Sequence, residues 1–389
     1  MAQNSSYFLG LAQALNDQGL STLATLAAGA LNDTAGPAFF EELQSGNKTL
    51  FAPSNEALSS LSSATSNTTA LLEILSYHIL DGNFTDLVST YPNVTLGRTL
   101  LNDTNLVALE GNESQVVAFS KVGGSVVVLN QNYTTVQNSS SYSNLLIWAI
   151  NATLTPPGSL NETVGVNSDL SALASLASTL ELPESGSDSN ISALEYLAAQ
   201  HGFTLFAPSN SALANVSAAL QTVQSNQTAL GDLVRNHIVV GETLYSPLLL
   251  SSTSSNYTSS AGESLSITTN SSGTYVVSGG ISSAKISQSD VLVENGVIHV
   301  IDGVLLNLEV NEAAASSAIA SASSVASAAA TASATGPVGG ATQANPAPSA
   351  SSSSSSSSSD AVKNAVGVGM LGWAVMLGGA VIGGMSVWL

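Results

Sequence analysis

Cysteine is absent from the 389 residues, and basic side chains nearly so: 6 Lys+Arg stand against 26 Asp+Glu, a formal net charge of −20. Without thiols, disulfide scaffolds, thiolate catalysis and thiolate metal sites are excluded. Without clustered Lys/Arg there is no basic surface for nucleic acid, since five of the six are scattered singly between Lys48 and Lys285. Charge of either sign is scarce too, at 8% of residues where a soluble protein carries about 25%. The apolar fraction, 44%, is ordinary, so Ser, Thr and Asn have taken the place of charges. Something other than ionised side chains has to wet this surface.

Residues 1 to about 308 mix apolar, polar and turn residues as globular chains do. From Ala313 to about Ala350 the chain is nearly all Ala, Ser, Thr, Gly and Pro, and Ser351 to Ser359 is unbroken serine. Such a stretch buries too little apolar surface to offset its backbone entropy, which predicts a disordered stalk over 311–364, O-glycosylated or a plain linker. Residues 365–389 are uncharged and mainly apolar, long enough to span a bilayer. Small residues, a polar spacer and a terminal apolar tail form the pattern of a glycolipid (GPI) attachment signal, and its spacer length points to Ser353, Ser354, Ser355 or Ser356. A retained tail-anchored helix is the alternative. Gly367, Gly369 and Gly372 match a dinucleotide-binding glycine pattern only literally, because they sit inside this tail and not between a strand and a helix.

The first twenty residues have no basic region and no long apolar core, so a secretion signal is expected to be missing from this sequence or its start mis-assigned. The sequons point to secretion independently. Seventeen Asn-x-Ser/Thr sites run from Asn4 to Asn270, more than the Ser/Thr content alone would create. Besides Asn4 they are Asn32, Asn47, Asn67, Asn83, Asn93, Asn102, Asn112, Asn132, Asn138, Asn151, Asn161, Asn190, Asn215, Asn226, Asn256 and Asn270. Sugars there would solubilise loops.

The chain repeats itself. Thr49 to Asn55 recurs identically as Thr204 to Asn210, then Leu71 to Ile79 matches Leu230 to Ile238, and Ile147 to Asn151 aligns with Ile298 to Asp302. Three matches in one order predict a duplicated domain, with boundaries at 1–155, a linker at 156–164, and 165–310. In the first block a short apolar strand ends at Pro53 or Pro208, which cannot donate to a ladder. Ser54 or Asn55, and Ser209 or Asn210, then offer an oxygen to cap a short helix. In the second block Leu71, Leu72, Leu75 and Ile79 form a helical stripe, with Gly82 and Gly241 placed where a helix would stop. In the third, Asn295-Gly296 between β-branched runs is a hairpin signal. Helical patterns dominate the first half of each copy and strands the second, which predicts an α+β class.

At these residues the chain resembles the fasciclin-like (FAS1) domain family. Copy two carries the Thr-x-Phe-Ala-Pro-Ser-Asn segment from Thr204 and an Asn-Gly-x-Ile-His-x-Ile-Asp segment with Asn295, Gly296, His299 and Asp302. Copy one carries the first segment, with Pro53 and Asn55, and the Tyr77-His78 pair. It departs at the end, where Trp148 and Asn151 replace the His and Asp and a longer Ser/Asn-rich loop, Gln137 to Asn144, is expected instead of the tight turn. The resemblance covers about 300 of 389 residues. It implies two tandem wedge-shaped β-sandwiches, each with a layer of short helices, and tandem domains with a Ser-rich stalk and GPI-type tail look most like fungal members. It also implies adhesion or contacts with matrix or wall, and no enzymatic activity. In animal relatives the Tyr-His segment is implicated in receptor binding, which carried over by position gives Tyr77, His78 and His237; a helix-end pair with core neighbours is the competing reading.

Chemistry-bearing motifs are otherwise few. His78, His201, His237 and His299 have no second ligand at metal spacing, and neither a nucleophile elbow nor a phosphate-binding lysine loop occurs. Distant carboxylate pairs stay open, although Asp81 and Asp302 read as turn formers. The expected protein is a GPI-anchored surface glycoprotein without cofactor, contacting wall or matrix glycans or proteins, or its own kind. A structural wall or vacuolar glycoprotein without a specific partner, and a glycan- or lipid-binding domain pair, with a glycosidase ranked behind binding, are the alternatives.

Overall fold

The computed structural model describes residues 2–339 apart from 32–35, 60–67, 130, 132–133, 184–189, 225, 252–255 and 330–334. The serine run, the GPI candidates Ser353 to Ser356 and the tail 365–389 lie outside the described residues.

Domain 1 has strands β1 (Lys48–Pro53), β2 (Ile79–Asp81), β3 (Thr95–Arg98), β4 (Val116–Val122), β5 (Ser125–Val128), β6 (Thr134–Tyr142) and β7 (Leu145–Ile150). A small hairpin, β8 (Glu181–Pro183) and β9 (Asn190–Ser192), precedes the main sheet of domain 2. That domain continues with β10 (Phe203–Pro208), β11 (Ile238–Val240), β12 (Asn256–Thr258), β13 (Ser264–Asn270), β14 (Gly273–Ser278), β15 (Ser282–Val293) and β16 (Gly296–Ile301). The sheet orders are the same, β2-β1-β7-β6-β5-β4-β3 and β11-β10-β16-β15-β14-β13-β12. In each, the first strand and the last pair in parallel, β1 with β7 and β10 with β16.

The expected sandwich is one continuous sheet folded over along its longest strand. β6 pairs with β5 through its first residues and with β7 through the rest, with a register shift between Val136 and Asn138; β15 does the same between β14 and β16. Such irregularities bend a strand and increase its twist. Strand alternation then divides the core in two. Leu50 and Ala52 face the helices with Leu11, Leu15 and Leu75, whereas Phe51 faces inward with Phe119, Val128 and Trp148. Domain 2 repeats this: Leu205 and Ala207 join the helical side, and Phe206 meets Leu265, Val276 and Ile301 inside the fold.

Several expectations change. Residues 137–144 are not a long loop: β6 runs through them, and Tyr142 pairs with Leu145 across a two-residue turn. Ser143 takes a positive φ of 52° there, a conformation that short polar residues tolerate better than bulky ones. Copy two turns in the same place, at Glu294-Asn295, with Val293 opposite Gly296. The linker is shorter than 156–164, because Leu160–Val166 is a helix with a Ser159/Glu162 capping box and its Leu160 and Val164 are buried in the domain 2 core. Gly82 and Gly241 end strands rather than helices, with β2 and β11 intervening after the helices close at Tyr77 and Arg235. The first part of the expected disordered stalk is ordered, since Glu312–Ala329 is an eighteen-residue helix.

The two domains meet along a shared apolar seam. Val94, Leu96, Val116 and Ala118 of domain 1 pack with Tyr245, Leu292 and Val297 of domain 2. Backbone bonds cross it from Ala108 N–H to Glu294 O (2.9 Å) and from Gly202 N–H to Ala108 O (3.1 Å). The Thr243 N–H and hydroxyl both donate to the Glu110 carboxylate, at 2.7 and 2.6 Å, and Gln115 Nε2 donates to Val293 O at 3.1 Å.

Candidate functional site

The Tyr-His segment ends the helix before β2 or β11, and its histidines are core residues. His78 and His237 are fully or nearly fully buried, each with both ring nitrogens engaged. His78 Nδ1 lies 2.7 Å from Ile74 O, one helical turn back, and Nε2 accepts from Leu154 N–H at 2.9 Å. His237 repeats this with Leu233 O at 2.8 Å and Leu305 N–H at 2.9 Å. A carbonyl partner on one nitrogen and an N–H on the other assigns the proton to Nδ1. Burial pushes both imidazoles down to about 4, so they are neutral near pH 7. Each ring thus ties a helix end to the chain that follows the last strand. Tyr77 is buried as well, its hydroxyl donating to Val116 O at 3.2 Å. Tyr77, His78 and His237 therefore offer no surface to a partner, and the expectation that they form an adhesive patch is corrected by their burial.

The Phe-Ala-Pro-Ser-Asn motif divides its labour. Ser54 and Ser209 cap the helix that follows, accepting from Ala57 N–H and Ala212 N–H at 3.2 Å. Asn55 and Asn210 instead reach across to another helix. The Asn55 oxygen accepts from Thr22 N–H and its amide donates to Gly19 O, while Asn210 binds Ala172 N–H and Ser168 O in the same way. Pro53 and Pro208 close β1 and β10, and the next residue resumes the ladder, Ser54 N–H to Ile150 O and Ser209 N–H to Ile301 O.

The hairpin asparagines form a second internal repeat. Asn295 donates to Leu197 O (2.9 Å) and Gln200 O (3.0 Å), and Asn144 donates to Leu43 O (3.0 Å) and Gly46 O (2.6 Å). Both pin the last hairpin to the segment that enters the first strand. Gly296 is required beside Asn295, because a Cβ there would stand 2.5 Å from Phe203 O. Asn295→Ala should destabilise the protein by about 2 kcal/mol and the less buried Asn144→Ala by about 1 kcal/mol, since each strands acceptors that the amide satisfied. Urea denaturation of the single variants reads both.

His299 is buried on β16, its Nε2 2.8 Å from Leu244 O and its Nδ1 accepting from Asp290 N–H at 3.4 Å. Burial lowers its pKa. It stacks on Phe206, ring centroids 5.7 Å apart, where domain 1 sets Trp148 on Phe51 at 5.3 Å. The neighbouring Ser246 hydroxyl donates to the Asp290 carboxylate and not to His299, so these three residues are not arranged as a nucleophilic triad. Asp302 and Asn151 are equivalent strand-end acceptors, for Lys285 N–H (2.8 Å) and Thr135 N–H (2.9 Å). Among the described residues no group of three or more His, Asp or Glu is placed to hold a metal ion.

The sequons behave differently from these motif residues. Asn47, Asn83, Asn93, Asn102, Asn112, Asn138, Asn151, Asn161, Asn190, Asn215, Asn226, Asn256 and Asn270 are all exposed. The buried asparagines Asn236, Asn295 and Asn307 belong to no sequon. The Asn4 side chain and Asn32, Asn67 and Asn132 lie outside the described residues.

The fasciclin domain family matches the chain twice, over residues 18–156 and 175–307. This chain belongs to the fasciclin domain family. A curated relative, the fasciclin-like arabinogalactan protein of Arthroderma benhamiae, is 28% identical over 274 residues, covering 67% of this chain and 59% of the relative. The chain thus spans about three fifths of the curated relative it matches. Among solved structures, a FAS1 domain pair from the insect cell adhesion molecule Fasciclin I is similar at 16% identity and a TM-score of 0.33, covering 75% of this chain and 98% of that chain. The family motif residues of both fasciclin domains are thereby accounted for as scaffold: helix caps, hairpin anchors and buried histidine ties. The reach of the hairpin and motif asparagines and of the histidine Nε2 atoms was hidden from sequence, because those partners lie dozens of residues away. Among the described residues no helix is long and apolar enough to cross a membrane.

Proposed function

We propose that this chain is a glycosylated protein of the cell surface or cell wall, held by a glycolipid anchor at one of Ser353 to Ser356. Its fasciclin pair makes adhesive contacts with wall or matrix glycans or proteins, or with its own kind, without catalysis. The observation that carries this reading is the sorting of asparagines, with every described sequon on the surface and every fully buried asparagine outside a sequon. Bulky sugars can be attached only where the side chain reaches solvent, and they replace the hydration that scarce charges do not supply. The name of the fungal relative, which joins the fasciclin fold to arabinogalactan, points the same way.

Weak contacts of single domains would be multiplied by many copies on one surface. Glycopeptide mass spectrometry of the secreted protein, before and after enzymatic removal of N-glycans, tests the sugar coat. Occupancy at most of the thirteen exposed sequons is expected. An unmodified protein would remove the reading, and a glycosylated protein released only by lysing an internal compartment would move it to the vacuole.

A further inference from the structure

The helix Glu312–Ala329 and residues 336–338 touch both fasciclin domains. At its start the helix is fixed to domain 2: Arg235 holds the Glu312 carboxylate with two bonds of 2.8 and 3.0 Å, and Asn311 N–H donates to Ala261 O at 2.7 Å. Ala315 and Ala322 are buried beneath it. A Cβ on Gly241 of domain 2 would lie 2.9 Å from Ala322 Cβ, and one on Gly111 of domain 1 would lie 2.6 Å from Ala326 O. Only glycine at both positions allows that approach, against the Ala322 side chain on one side and the Ala326 backbone on the other.

Further along, the chain is laid on the edge of the domain 1 sheet. Gly336 N–H donates to Asp81 O (3.1 Å), Pro337 bridges to Gly97, and Val338 N–H donates to Leu96 O (2.8 Å). Leu96 is part of the seam, and Val338 packs against the same cluster. Serine lowers the helix propensity of this alanine-rich segment, and in proteins most helical stability comes from packing rather than propensity, so the helix holds its shape through docking. Elements with few buried apolar contacts open at the lowest free energy.

We propose that the helix Glu312–Ala329 together with residues 336–338 is a strap that holds the seam between the two fasciclin domains closed and that yields before either domain when the chain is loaded beyond residue 339. Among the described residues, the strap is the first part that a pull from the C-terminal side reaches. The proposal is independent of what the domains bind.

Two measurements on the full chain test it. In an optical trap with handles at the chain ends, the first event should free about 30 residues, roughly 10 nm of contour, ahead of domain events of about 45 nm. Ala322→Arg, which cannot fit against Gly241, and Val338→Pro, which removes the donor to Leu96, should each abolish or weaken that first event. Because the chain has no cysteine, spin labels at Ser125→Cys and Thr268→Cys, exposed in the two domains, report their separation. One narrow distance distribution is expected, broadened by either strap variant. A first event of domain size, or variants that match the parent in both force trace and distance, would overturn the proposal. If Ala322→Arg fails to fold, Val338→Pro alone decides.

Discussion

Replacing His237 with alanine is expected to destabilise domain 2 by about 4 kcal/mol while leaving the partner contacts of the remaining folded protein intact. The imidazole satisfies Leu233 O and Leu305 N–H, both inside the domain. Its removal leaves an acceptor and a donor without water or protein partners, at about 1–3 kcal/mol each, and adds a cavity that the surroundings fill only in part. His78→Ala should act similarly on domain 1 through Ile74 O and Leu154 N–H. Urea unfolding gives the stability change, and binding at a denaturant-free concentration gives the other half. A variant of undiminished stability that loses binding would place the histidine at a contact surface instead.

Acidification is expected to unfold domain 2 before domain 1. His237 and His78 have folded-state pKa values of about 4 against an ordinary value near 6.5, so the unfolded chain binds more protons between those limits. The stability each contributes is fully present above about pH 6.5 and is lost as pH falls toward 4. With about 1.4 kcal/mol per pKa unit, the loss reaches roughly 3 kcal/mol per histidine. Domain 1 has one such histidine. Domain 2 has two, because burial also lowers His299, and Trp148 occupies the corresponding place in domain 1.

Glu242, whose pKa is raised by burial and then by Glu110 across the seam, acts in the opposite sense. It gains a proton on folding over its own titration range and offsets part of the loss. Trp148 is the sole tryptophan of the two domains, the others being Trp373 and Trp388 in the tail. Its fluorescence therefore follows domain 1, while far-ultraviolet circular dichroism follows both. The ellipticity should begin to fall at a higher pH than the Trp148 signal changes; coincident transitions, or the reverse order, would count against the histidine assignment.

Local pattern carried much of the fold into view. The duplicated Thr-Leu-Phe-Ala-Pro block fixes a central strand and a capped helix in each copy, and the α+β division follows from periodicity. What stayed hidden depends on distance. Ser54 and Asn55 both look like caps, and only the fold separates them, because the helix that Asn55 serves begins at Ser21. Ser139, Ser140 and Ser141 read as loop, yet they pair with Trp148, Ile147 and Leu146, since the partner strand is apolar enough for both. Once the turn is placed at Ser143-Asn144, Asn144 aligns with Asn295 and the third motif of copy one is recovered. The strap was illegible for the same reason: alanine and serine give no amphipathic stripe, and the glycines that receive the helix, Gly241 and Gly111, are far from Ala322 and Ala326 in sequence.

Intact cells carrying this protein should lose surface attachment when treated with a phosphatidylinositol-specific phospholipase, and the glycosylated fasciclin pair should appear in the supernatant in step with that loss. Measuring cell attachment to wall or matrix glycans, and to cells displaying the same protein, before and after treatment joins anchor, address and adhesion in one experiment. Release with a matching fall in attachment is the expected result. Protein that stays with the cells, or leaves them without any change in attachment, would contradict a glycolipid-held adhesive role.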